Sequence, residues 1–318
     1  MLSPVLIRSL PYVAYLALAT AAYSSSAADS PSSSDQQPES KVEDKPKEPS
    51  LQTVEAGGVT WHTDYYAAYR DARAKRRMLL INFVAAGSAA QANLESRIAR
   101  NANLKSKLAG MTLVRLPSEA AVDINGRTTR LLDHSSFSQM HRRPGIAMLD
   151  LKHSAAPYYG RVVSAFPFMS SKYYRWRSDY LSTLVDLPAG TLTQRTMVWA
   201  VRVHPERPAS TNGMLDAQLA SAATRHSQHQ ANIQVQGHHN WDRRFHQVRG
   251  MVGAHEASEV VAESWPNQNM IDSCLDCVDS WRHSSGHWGA VRRLHRFYAY
   301  DIRRGRNGIW YGTGIFAN

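Results

Sequence analysis

Hydrophobic and polar positions repeat along this chain with two different periods, and their order predicts its elements. Residues 28–50, ADSPSSSDQQPESKVEDKPKEPS, hold one Val as their only sizeable apolar side chain. Such a stretch cannot repay its ordering entropy, so a disordered linker is expected over 28–54. In DYYAAYRDARAKRR, Tyr65, Ala68, Tyr69 and Ala72 recur at helical spacing, and MLLINFVA follows as a continuous apolar run suited to a buried strand. SAAQANLESRIARNANLKSKLAG reads as a second helix closed by Gly110, and MTLVRLP as a second strand. PGIAMLDL and GRVVSAF read as a strand pair with a turn between them. Pro188 and Gly190 then interrupt the pattern, and MVWAVRVHP after them reads as a strand.

Beyond residue 205 the helical period returns. MLDAQLASAATRHSQHQANIQVQ puts Leu215, Leu219, Ala222 and Ala223 on one face, with His226 and His229 extending the same turns and Gly237 ending the region. EASEVVAESW is a short helix or strand, and MIDSCLDCVDSW spaces Ile271, Leu275, Val278 and Trp281 as a helix. The end, HRFYAYDIRRGRNGIWYGTGIF, reads as two strands joined at Asn307-Gly308.

Length and composition add a frame. A chain of 318 residues, 43% hydrophobic, is long enough for two domains with cores of their own. At the N-terminus Arg8 precedes the apolar run LPYVAYLALATAAY and small residues follow, which reads as a signal peptide over 1–27 and implies a secreted or periplasmic protein. The run is shorter than the ~20 residues of a spanning helix, so a membrane is met only if this segment stays uncleaved as an anchor. The chain has 2 cysteines, too few for a disulfide framework, and its formal charge of +11 favours an anionic partner or surface. Most of the 14 histidines fall in the C-terminal half.

The first half, helix, buried strand, helix, strand and hairpin, resembles a thioredoxin-like domain over residues 55–190. That family runs its first long strand into F-x-A-x-W-C-x-x-C-K. The matching stretch here is FVAAGSAAQANLE, in which Phe83 and Ala85 agree, Gly87 replaces the Trp, and Ser88 and Gln91 stand at the cysteine positions. Thiol exchange needs a thiolate and a thiol leaving group, so the resemblance implies a redox-inactive domain with no redox cofactor. It also implies a cis-proline role for Pro144 in RRPGIAML.

In the second half AATRHS, GHHNWDRR, AES, SWRHSSGH and WYGTGIF occur in order, and this order resembles the CAP superfamily of SCP-like domains over residues 200–318. The fold class expected for the whole chain is therefore α/β, a thioredoxin-like α/β sandwich followed by a CAP-like α/β/α sandwich. The family's cleft of two histidines and two acids implies His287 as one histidine, His238 or its neighbour His239 as the other, and Glu263 as the first acid. The fourth position is Ser284, so the tetrad shrinks to a triad; Asp279 and Glu259 are near but out of register.

Two imidazoles and a carboxylate leave an open position on a divalent metal, zinc or magnesium, as catalytic zinc sites do. Two readings follow. In the first, His238, His239 and His287 supply metal ligands in a binding cleft for a polar or anionic ligand, and the thioredoxin-like domain engages an extracytoplasmic protein. In the second, Glu263 and His287 are catalytic in a metal-assisted hydrolase acting on peptide, phosphodiester or wall polymer. A hydrogen-bonded pair that only stiffens the fold is the structural alternative. CLDC at 274–277 lacks the second knuckle a zinc ribbon needs, which leaves a local disulfide or half-buried thiols. RRLHRFYAYDIRRGR suits a strand with aromatics inward and arginines in solvent; nucleic acid is not the expected partner of an exported protein.

Overall fold

The structure is a computed structural model that describes residues 52–124 and 126–318. The signal segment and nearly all of the linker expected from the sequence lie outside the described residues. The first strand begins at Thr53, inside the end of that linker.

The first sheet has six strands in the order β1-β2-β4-β3-β7-β8, formed by β1 (Thr53–Ala56), β2 (Val59–His62), β3 (Leu79–Val84), β4 (Thr112–Pro117), β7 (Gly145–Leu149) and β8 (Val162–Pro167). β2 and β3 run parallel to β4, while β3 with β7 and β7 with β8 are antiparallel. A separate hairpin, β5 (Ala121–Ile124) with β6 (Arg127–Arg130), lies between β4 and β7 in the chain. α1 (Tyr65–Ala74) starts where the Asp64 side chain accepts the Ala67 amide at 2.6 Å, and it buries Tyr65, Ala68, Tyr69 and Ala72 as their spacing requires. β3 is apolar except for the buried Asn82 because both of its faces are covered. Leu79, Ile81 and Phe83 enter one apolar cluster and Leu80 the other.

Three sequence expectations change here. The single helix expected between Ser88 and Gly110 is two, α2 (Ala89–Ala99) and α3 (Ala102–Ala109), because the Asn101 side chain accepts the Leu104 amide and caps a new start. The peptide bond before Pro144 is trans, since no described peptide bond is cis. The close approach at this strand entry is made by Gly145 instead, at φ +151°; a Cβ there would stand 2.4 Å from the Phe166 carbonyl oxygen. MVWAVRVHP is not a strand. α4 (Tyr180–Leu184) is followed by α5 (Leu192–Arg202), begun by a capping box in which Thr191 takes the Gln194 amide while the Gln194 side chain takes that of Thr191. α5 is buried on nearly every side, from Gln194, Arg195 and Thr196 through the apolar run Met197–Val201.

The second sheet has the order β10-β12-β11-β9, from β9 (Met214–Leu215), β10 (Ala257–Glu263), β11 (Phe297–Arg304) and β12 (Trp310–Ala317). Its helices are α6 (Ala217–Ile233), α7 (Trp241–Val252), α8 (Met270–Arg282) and α9 (Ser285–Arg292). α6, β10, α8 and the terminal hairpin match the sequence pattern, although Leu215 belongs to β9 and not to α6. α7 and α9 do not emerge from it: Trp241, Phe245, Val248 and Val252 keep helical spacing, but Arg, His and Asp between them dilute the stripe.

The described chain is α/β. One apolar cluster covers the outer face of the first sheet, and another packs α6 and α7 on the outer face of the second. A third cluster runs between the sheets and draws on α2, α3, α5, α8 and strands of both. Residues Leu51–Asn318 form one compact unit. Cys274 and Cys277, on α8, are free thiols with no exposed surface, more deeply placed than half-buried. Tyr298 and Tyr300 of β11 are buried in the central cluster. No described helix is long and apolar enough to cross a membrane.

Candidate functional site

Two histidines predicted from the sequence meet. α6 ends at Gln234 in a left-handed conformation, and the following loop turns again at Asn240, φ +55°, before α7. His238 lies in this loop. His287 lies in the first turns of α9, where Trp288 is pinned by donating its indole N–H to Glu206 at 2.9 Å. Nε2 of His238 stands 3.3 Å from Nε2 of His287.

The acid that orients this pair is Glu259 and not Glu263. Glu259 sits inside β10 with a fully buried side chain, and its Oε1 accepts from Nδ1 of His238 at 3.1 Å and from Nη1 of Arg244 at 3.1 Å. Nη2 of Arg244 donates to the second carboxylate oxygen. Burial alone would raise the Glu259 carboxyl, but the hydrogen bonds from His238 and Arg244 and the charges around it outweigh burial and hold it below the usual range. Glu263 ends the same strand and is exposed. Four residues on, it shares the face of Glu259 but lies roughly 13 Å along the strand. Asp279, on α8, has the exposed His283 for its partner, 3.7 Å away. Ser284 only begins α9.

His239 turns away from the pair. Its Nε2 donates to the Val235 carbonyl at 3.1 Å, and its ring lies against His226 and His229 with centroids 6.1 and 5.4 Å away. His226, buried beneath the loop, donates Nε2–H to the Gly237 carbonyl at 3.0 Å and lies 3.5 Å from Glu259 Oε1. Burial drives its pKa down to about 4 against the pull of Glu259, so it is neutral at neutral pH. Sequence reasoning set Glu259 aside as out of register, and Arg244, Glu206 and the supporting role of His226 do not emerge from it. No local signal separates Glu259 from Glu263, since each flanks the apolar run Val260–Ala262.

The chemistry of the pair follows from its hydrogen bonds. An ionised Glu259 only accepts, so His238 carries its proton on Nδ1 and presents a bare Nε2. Burial and then the neighbouring His238 lower the His287 pKa, which favours a neutral ring there too. Two contents satisfy a 3.3 Å separation of Nε2 atoms. One is a hydrogen bond donated by His287. The other is a shared cation, since two nitrogens bound to one zinc at 2.0–2.1 Å in a tetrahedral arrangement stand about 3.3 Å apart. The carboxylate–imidazole arrangement behind His238 is the one that orients metal-binding histidines. Among the described residues no group of three or more His, Cys, Asp or Glu side chains is gathered to hold a metal. Two imidazoles would therefore be the protein's share of any such site. No family model, no curated protein and no solved structure matches this chain.

Proposed function

We propose that this chain is an extracytoplasmic binding protein whose His238–His287 pair holds a divalent cation at a CAP-type site, with remaining positions open to a polar or anionic ligand. The observation that carries the reading is the 3.3 Å approach of two Nε2 atoms, one of them fixed from behind by a buried carboxylate. A cation held there would supply a point of positive charge for the ligand. Glu259 would keep the His238 tautomer competent for it, and Arg244 would keep Glu259 ionised.

Binding is favoured over hydrolysis by the state of the carboxylates. Both oxygens of Glu259 are occupied by Arg244 and His238, and Glu263 lies too far along β10 to serve the same point as a general base. In the first half, the strand order β2-β4-β3-β7-β8 supports the thioredoxin-like reading, and Ser88 at the start of α2 acts as a helix cap, accepting the Gln91 amide at 3.3 Å. That half is proposed to engage a protein partner without redox chemistry. Export rests on the N-terminal sequence.

Calorimetric titration of zinc into the full chain tests the site. One-to-one binding in the micromolar range, lost in His238→Ala and in His287→Ala but kept in His239→Ala, is the expected result. A folded protein that takes up no zinc, or a His287→Ala variant that binds as before, would overturn it.

A further inference from the structure

The adjacent His238 and His239 face two different places, and the second is a cavity of about 180 Å³ between α6 and α7. A volume of that size has room for about six waters. Its polar wall carries Arg225, His229, His239 and Arg244, and its floor is apolar, with Val248 and Met251. No acidic residue lines it. The nearest carboxylate in contact with its wall, Glu259, is already engaged by Arg244 and His238. Arg225 spends one N–H on Ser221 at 2.7 Å, and among the described residues it has no acidic partner. Asn240 and Gln247 place two further amides at the rim.

A cavity with an uncompensated guanidinium, imidazoles, amide donors and an apolar floor suits one chemical class. We infer that this pocket binds a small organic oxyanion, a phosphate monoester or carboxylate whose charged head meets Arg225 and His229 and whose apolar part rests on Val248 and Met251. Arg225 is the residue of choice here because its planar fork can give two parallel N–H bonds to one anion. The pocket is separate from the His238–His287 pair, and the inference does not depend on that pair holding a metal.

Phenyl phosphate titrated into the full chain, followed by calorimetry and by phosphorus NMR, tests this inference, with inorganic phosphate as the headgroup-only probe. Phenyl phosphate binds one-to-one and more tightly than inorganic phosphate, because only it covers the apolar floor. Arg225→Ala and His229→Ala each weaken it by about tenfold, the loss of a charge-assisted hydrogen bond. Both side chains are exposed, so both variants keep the parent melting temperature. His287→Ala leaves this affinity unchanged. Absence of phenyl phosphate binding at millimolar concentration, equal affinity in Arg225→Ala and His229→Ala, or a loss in His287→Ala would each overturn the inference.

Discussion

Glu259 and Glu263 occupy one face of one strand, and only their depth separates a buried anchor from a surface carboxylate. The alternation of β10 is the same for both, so the sequence offers no means of choosing between them; the choice is made by α7, which brings Arg244 over the inner position. Removing that charge leaves a guanidinium without its counter-ion. Glu259→Gln is expected to cost about 3 kcal/mol of unfolding free energy, the scale for breaking a buried pair, while Glu263→Gln stays within about 0.5 kcal/mol. Denaturant titration of both variants checks this, and equal losses would mean that Glu259 is no anchor. His226 adds a pH dependence whose sign is fixed by its environment. Its folded pKa of about 4 lies below the ordinary 6.5, so the unfolded chain takes up its proton first. The stability it supports is intact above pH 6.5 and is lost as the pH falls toward 4, by up to about 3 kcal/mol. Glu259, with its pKa lowered, also loses its contribution in acid. His226→Gln keeps a donor for the Gly237 carbonyl and removes the imidazole titration, so its stability should fall less between pH 6.5 and 4 than that of the parent.

At the scale of elements, α5 is the instructive case. Met197, Val198, Trp199, Ala200 and Val201 are all buried, and a run so uniformly apolar has no face by which its period could be read. The information distinguishing helix from strand was local, the Thr191 and Gln194 pair three apart at its start. α2 and α3 teach the same lesson, since Asn101 marks a cap inside what looks like one periodic run. Trp199 shows what the α5 position is worth. It packs edge-on against Phe166 at 4.8 Å and Tyr180 at 5.1 Å, with Tyr174 at 5.9 Å. Trp199→Ala is expected to cost about 4 kcal/mol. Its indole N–H is buried with no hydrogen-bond partner among the described residues, so Trp199→Phe should cost less than half as much. A Phe variant as damaged as the Ala variant would show that the indole is satisfied by some other group.

At the scale of the molecule, α5 joins what the two sheets would otherwise bury separately. It packs on β8 from the first sheet and on β11 and α8 from the second, and the central cluster is continuous through it. Unfolding of the full chain should therefore be a single transition in denaturant, with tryptophan fluorescence and far-ultraviolet circular dichroism coincident. A fragment beginning at residue 203 lacks α5 and leaves the apolar faces of α8 and β11 uncovered, so it should bind hydrophobic dyes and melt without cooperativity. A sharp, dye-free transition in that fragment would show that the second sheet carries its core alone.

The sequence by itself determined the α/β class, nearly all the buried strands, and the helices α1, α6 and α8 with the run that holds α2 and α3, because those follow from periodicity within one segment. It also marked His287 and the adjacent His238 and His239 as residues of interest, without choosing between the last two. Only the tertiary structure decided which acid stands behind them, that His239 faces a separate cavity, and that α5 is a helix between two sheets. Each of those depends on a contact between separate elements, β10 with α7, α6 with the loop at 235–240, and α5 with β8 and β11. The contact that selects between two locally equivalent residues is made by a partner that no local pattern contains.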